Sequence, residues 1–187
     1  MFLGHFALAL AAKRATPRTS LGPLFAAAQL PDLLWPIFLL AGIERVRVTP
    51  SGNPFTHLSF VSYPWTHSLL MVAIWGIVAA AIYLLWRHDT RGAAMILLLA
   101  LSHWGLDWVT HRPDLPLVPE GGLYTGLGLW NSTGATVLIE GLLFLGGLQF
   151  YLAATRPRDT TGRTAFWGLI AVLVIIYVAG LVAPPPP

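Results

Sequence analysis

Five residues of metal-ligand or proton-transfer type, His5, Asp32, His67, His103 and Asp107, stand inside or at the ends of apolar stretches of this 187-residue chain. A carboxylate at the centre of a membrane helix costs roughly 3 kcal/mol on insertion scales, so each such residue asks for a compensating role. Imidazole and carboxylate together hold divalent ions, and they also relay protons. The chain has no cysteine, so an ion would rest on nitrogen and oxygen alone.

Spacing sharpens the set. His103 and Asp107 in LSHWGLDWVTH are four residues apart, which places them on one helical face with Cβ atoms about 6 Å apart. That spacing suits two ligands of one ion, and equally an imidazole hydrogen-bonded to a carboxylate. His111 continues the face toward Arg112-Pro113, where a helix should end. In YPWTHSLL, His67 precedes an apolar stretch that Thr66 or Ser68 is placed to cap; taken alone it reads as a solvated interfacial histidine. Glu140 in TVLIEGLL lies about two turns inside another stretch. General base, partner of a histidine ligand and protonated structural residue all fit it. Gln149, deeper in the same stretch, suits a hydrogen bond between helices.

The elements that must carry these residues are membrane helices. With 56% hydrophobic and 10% charged residues and a mean hydropathy of +0.68, the chain lies far from soluble composition. Apolar runs at 2–12, 20–43, 68–86, 93–111, 134–153 and 164–183 predict an all-α, polytopic transmembrane helical bundle. It has about five full spans plus a short N-terminal membrane helix. One helical domain is expected over 1–183, with a disordered Pro tail at 184–187. Pro31 and Pro36 should break or kink the second run around LPDLLWP, at Asp32. By depth, Asp32 and His103 fall near mid-membrane and Asp107 farther outward, compatible with one cavity opening outward.

The charges act as topology signals. A net charge of +3 and a pI near 9.7 come from basic residues scattered singly between apolar runs, with no stripe to bind nucleic acid. Placing the 13–19, 87–92 and 154–163 loops in the cytoplasm puts eight basic residues inside and leaves only Arg45, Arg47 and Arg112 outside. The long connections, 44–66 and 112–133, then lie outside, and loops of that length commonly shape a site. No positive segment precedes the first apolar run, so no cleaved signal peptide is expected. The tryptophans read first as interfacial anchors.

Four segments taken in order resemble the YdjM-like family, described as inner-membrane-bound metal-dependent hydrolases. The family pattern is an early histidine, then L-P-D-x-D, then H-R-G-x-T-H-S, then H-x-x-x-D with a following threonine. GHFALALAAKR supplies His5, QLPDLLW supplies Asp32, YPWTHSLL supplies His67, and LSHWGLDWVTHRPDLPLVP supplies His103, Asp107 and Thr110. The resemblance spans residues 1 to about 130. Leu34 replaces the second aspartate, and Ser62 and Tyr63 replace the opening histidine and arginine. These departures disfavour a two-metal centre and leave five positions for one ion.

The resemblance implies a membrane-embedded hydrolase in which His5, His67 and His103, with Asp32 or Asp107, bind a single Zn²⁺ or similar ion. The remaining carboxylate or Glu140 would serve as general base, or Asp107 would orient His103. An outward cavity makes membrane lipids the neighbours and a lipid or lipid-linked ester, amide or phosphoester the natural substrate; oligomeric state cannot be read. A non-catalytic alternative from another class also fits: a small transporter, a proton- or cation-handling protein, or a structural membrane protein.

Overall fold

The computed structural model describes residues 1–49 and 51–184. Of the expected Pro tail, residues 185–187 lie outside that range. The chain is built from α1 (Phe2–Ala15), α2 (Leu21–Ala28), α3 (Leu30–Leu40), a single turn α4 (Pro64–His67), then α5 (Leu69–Arg87), α6 (Thr90–Thr110), α7 (Thr133–Ala154) and α8 (Thr160–Val182). Helices α5 to α8 are each long and apolar enough to cross a membrane, and α2 with α3 forms a fifth candidate span bent by 58°. The 14 residues of α1 reach about 21 Å, short of a bilayer core of about 30 Å. The all-α membrane bundle expected from hydropathy is therefore the observed architecture.

The bent span breaks at Gln29, one turn earlier than the proline-rich segment suggested. Pro31 sits in the first turn of α3, where a missing N–H is harmless, and Pro36 lies within α3 without ending it. Pro36 does remove the helical donor to the Asp32 carbonyl, so the backbone loosens beside that residue. Elsewhere the helix starts follow local rules. Ser68, Asp89, Ser132 and Asp159 accept hydrogen bonds from Met71 N, Gly92 N, Ala135 N and Gly162 N, capping α5, α6, α7 and α8.

Each long connection carries a small hairpin. In the first, β1 (Arg45–Val48) pairs antiparallel with β2 (Leu58–Ser62); in the second, β3 (Leu115–Pro116) pairs with β4 (Tyr124–Thr125). Trp108 Nε1 donates to Thr125 Oγ1 at 2.8 Å and Trp104 Nε1 to the Pro116 carbonyl at 3.3 Å, so two expected interfacial anchors also tie the second hairpin to α6.

Small residues set how closely the helices pack. Ala7, Leu10 and Leu3 of α1 meet Phe144 of α7 and Ile170 and Leu173 of α8 in one cluster, while Ala9 and Ala12 meet Leu24, Ala28, Tyr83 and Ile96 in another. Helix α1 is thus the buried axis despite its length. A Cβ on Gly147 would collide with the Ala7 backbone, whereas one on Gly146 meets nothing within 4 Å. Gly147→Ala should therefore cost about 1–3 kcal/mol through overpacking. Gly146→Ala should gain up to about 1 kcal/mol of helix propensity. Melting temperatures of the two variants in detergent should move in opposite directions. Gln149 faces outward from the bundle, away from the interhelical bond expected of it, because the neighbouring turn buries Gly147 instead.

The two ends of the bundle differ in chemistry. Thr19 Oγ1 donates to Asp89 Oδ2 at 3.3 Å, joining the basic 13–18 segment to the start of α6 near Arg91. His5, Asp32, His67, His103 and Asp107 gather toward the opposite end.

Candidate metal centre

Each candidate residue reaches the centre for a local reason. His5 lies in the first turns of α1, which is buried there; Asp32 sits in the first turn of α3, just past the break. His67 ends α4 before Ser68 starts α5, and the i, i+4 spacing of His103 and Asp107 on α6 turns both inward. His5, His67, His103 and Asp107 are 1–4% exposed, whereas the Asp32 side chain is 47% exposed and forms the open side. His67, which alone read as a solvated interfacial histidine, is buried because the chain folds back over it.

The five residues form two groups that share His103. In one, Asp32, His67 and His103 bring one ligand-type atom each within 4.8 Å of the others; in the second, His5, His103 and Asp107 do the same. Asp32 Oδ1 lies 3.3 Å from His67 Nε2 and 3.7 Å from His103 Nε2. Asp107 Oδ2 lies 3.1 Å from His103 Nε2, and its Oδ1 lies 3.2 Å from His5 Nε2. Donor atoms held at the corners of a zinc tetrahedron are separated by about 3.3–3.4 Å, so these spacings fit a common ion. Angles add to this. Among the described residues, the Nε2 atoms of His5 and His103 find no partner in hydrogen-bond geometry, although carboxylate oxygens lie so near.

Residues outside the ligand set decide which nitrogen is free. His103 Nδ1 lies 2.7 Å from the Ala28 carbonyl, an acceptor only, so the proton sits on Nδ1 and the lone pair on Nε2. Ala28 ends α2, where carbonyls lack intrahelical donors, so the break in the span supplies this acceptor. For His67, Glu44 Oε1 accepts from Thr66 N at 2.8 Å and Oε2 accepts from Thr66 Oγ1 at 2.7 Å. With its proton given to Glu44, the Thr66 hydroxyl accepts from His67 Nδ1, 2.7 Å away, and again Nε2 carries the lone pair. A histidine ligand held by its other nitrogen is the usual outer arrangement around a bound metal. His5 lacks it: its Nδ1 has no partner among the described residues, and its ring stacks on His103 at 3.8 Å and 6°.

Asp107 also accepts from the Met1 amino group at 2.9 Å. Glu140 belongs to neither group. Its Oε2 accepts from Leu3 N at 2.7 Å and Gly4 N at 3.4 Å, closing the amino end of α1 from a neighbouring helix. His111 leaves the helical face it was expected to continue. Its Nδ1 lies 3.2 Å from Tyr63 Oη and 3.1 Å from Asp114 Oδ1, a separate cluster beneath the hairpins. Burial and the Asp114 carboxylate raise the Tyr63 phenol above its ordinary range, so it stays a donor.

Reading the sequence passes over Glu44 and Thr66. Glu44 falls in a turn beside Arg45 and looks solvated, yet it is 2% exposed. Thr66 reads as a helix cap, but Ser68 performs that role. No periodicity marks either residue, because their partner comes from 22 positions away.

No curated protein and no solved structure matches the chain. The model of the YdjM inner membrane protein family matches residues 1–184. That match covers the apolar spans and the buried histidine–aspartate centre alike, and the chain belongs to the YdjM inner membrane protein family.

Proposed function

We propose that this protein is a metal-dependent hydrolase of the membrane that uses one divalent ion, held by Asp32, His67 and His103. The observation that carries the reading is the pair of histidines whose Nδ1 atoms are committed to Thr66 and Ala28 while both Nε2 atoms face Asp32. His103 has one free lone pair, so the His5, His103 and Asp107 group is an alternative use of the same nitrogen and not a second site. Zinc fits three nitrogen and oxygen ligands with an open position, where it would acidify a water and polarise a carbonyl or phosphoryl oxygen.

The other side chains position and move protons. Asp107, whose Oδ1 is held by the Met1 amino group and whose Oδ2 lies beside His103 Nε2, is the general base of this scheme through Oδ2. His5 braces the His103 ring by stacking. Glu140 supports the site by holding the amino end of α1, and is not the base. The exposed flank of Asp32 is the way in. With the 13–19, 87–92 and 154–163 loops in the cytoplasm, the centre opens toward the outer half of the membrane, where a lipid or lipid-linked ester or phosphoester is at hand.

Protein purified in detergent, loaded with Zn²⁺ and dialysed, should retain about one ion per chain by elemental analysis. It should turn over a member of a lipid ester and phosphoester panel in a chelator-sensitive manner. Retention no greater than that of an Asp32→Asn, His103→Ala double variant ends the reading.

A further inference from the structure

Away from the histidines, a cavity of about 280 Å³ lies between the first turn of α1, the middle of α7, the carboxyl-terminal part of α8 and the 54–55 segment. Its polar lining is Glu140, Tyr177 and Trp130; Phe2, Ile176 and Gly180 contribute apolar wall. Three residues of that lining each carry a polar atom, Glu140 Oε1, Tyr177 Oη and Trp130 Nε1, that is buried without a hydrogen-bond partner among the described residues. A buried polar group left unmet is destabilising, so three on residues around one cavity call for an occupant.

The rest of each side chain is fixed, which fixes what these atoms demand. Glu140 is 1% exposed and its Oε2 is occupied by the backbone of α1. The backbone carbonyl of Trp130 is taken by Asn53 Nδ2 at 2.7 Å, and Tyr177 stacks on Phe2 at 6.4 Å and 9°. The unmet atoms of the lining residues are therefore a carboxylate acceptor, an indole donor and a phenol that can do either. An ammonium group has no lone pair for the indole N–H. A phosphate or carboxylate has no proton for Glu140 and brings like charge to it. A hydroxyl has one proton and two lone pairs, and matches the three atoms in kind. Ile176 is 51% exposed on the apolar outer face of α8, so an alkyl chain can leave the cavity directly into lipid.

We infer that this cavity binds the hydroxyl head of a neutral lipid, such as a long-chain alcohol or a diacylglycerol, with its chain along Ile176 and Gly180. The site does not depend on the ion at His103. Its test uses the full chain in phosphatidylcholine nanodiscs and a long-chain alcohol carrying a diazirine on its alkyl chain, beside the methyl ether of the same probe. After irradiation, peptide mapping should find the alcohol on α8 near Ile176 to Leu181 at least about 10-fold above the ether. Tyr177→Phe, which drops only the hydroxyl, should cut that labelling several-fold. Gly180→Leu, whose Cβ meets nothing within 4 Å, should block it while the melting temperature holds. Equal labelling by alcohol and ether, labelling indifferent to Gly180→Leu, or none above background would each overturn the inference, leaving water as the occupant.

Discussion

His103→Ala should abolish divalent-ion binding, while His5→Ala should leave most of it. The asymmetry follows from geometry: His103 Nε2 is the atom common to both ligand groups, 3.7 Å from Asp32 Oδ1 and 3.1 Å from Asp107 Oδ2. Among the described residues, no group of three ligand-type side chains forms without it. Loss of a supporting residue around a metal costs 10- to 100-fold in affinity, so loss of this ligand should cost at least about 100-fold. His67→Ala should approach that loss, because its Nε2 is held free by Thr66 and Glu44. His5 has neither nitrogen fixed, and its removal should cost at most about 10-fold through poorer bracing of the His103 ring. Competition titration against a zinc indicator measures all three. A His5→Ala loss as deep as that of His103→Ala, with His67→Ala near wild type, would move the ion to the His5 and Asp107 side. Binding should weaken as pH falls in every variant that binds, since proton and ion compete for the same lone pairs.

Glu44→Gln is the second large effect, and it acts on a residue that touches no ion. In the native arrangement Glu44 accepts from both Thr66 N and Thr66 Oγ1. A glutamine keeps one acceptor, which Thr66 N takes, and turns its amide toward the hydroxyl. Thr66 Oγ1 then accepts from the amide and gives its own proton to His67 Nδ1, 2.7 Å away. That moves the imidazole proton to Nε2, the atom that faces Asp32. The expected cost is about 10- to 100-fold in zinc affinity. Nitrogen-15 shifts of labelled His67 should report the exchanged tautomer in metal-free protein. Thr66→Ser, which keeps the hydroxyl, should behave as wild type. An unchanged tautomer in Glu44→Gln removes the relay without touching the ligand assignment, because the reading-out needs no metal.

Much of this molecule follows from local chemistry. Hydropathy alone places α5 to α8 within a few residues, because a bilayer of about 30 Å admits only long apolar helices. The i, i+4 spacing of His103 and Asp107, and the cost of burying either, single them out without any contact being known. His5, Asp32 and His67 are legible as residue types, and their shared address comes from the ordered motifs.

Other features depend on residues that only the fold brings together. The break at Gln29 matters because it aims the Ala28 carbonyl at a histidine 75 positions away. Glu140 reads from sequence as a candidate base, and its neighbours are the backbone amides of α1, 136 and 137 positions distant. Glu44 stands in sequence where an apolar run gives way to Arg45, a place that suggests solvent, yet it is 2% exposed and bound to Thr66 of α4. Sequence by itself determined the membrane, the spans and the residue types of the candidate centre, since solvation and helical periodicity act over neighbouring residues. Tertiary structure alone decided which nitrogen is free, which carboxylate supports a helix end and which cavity gathers residues with unmet polar atoms, because hydrogen bonds are directional and their partners here lie far apart along the chain.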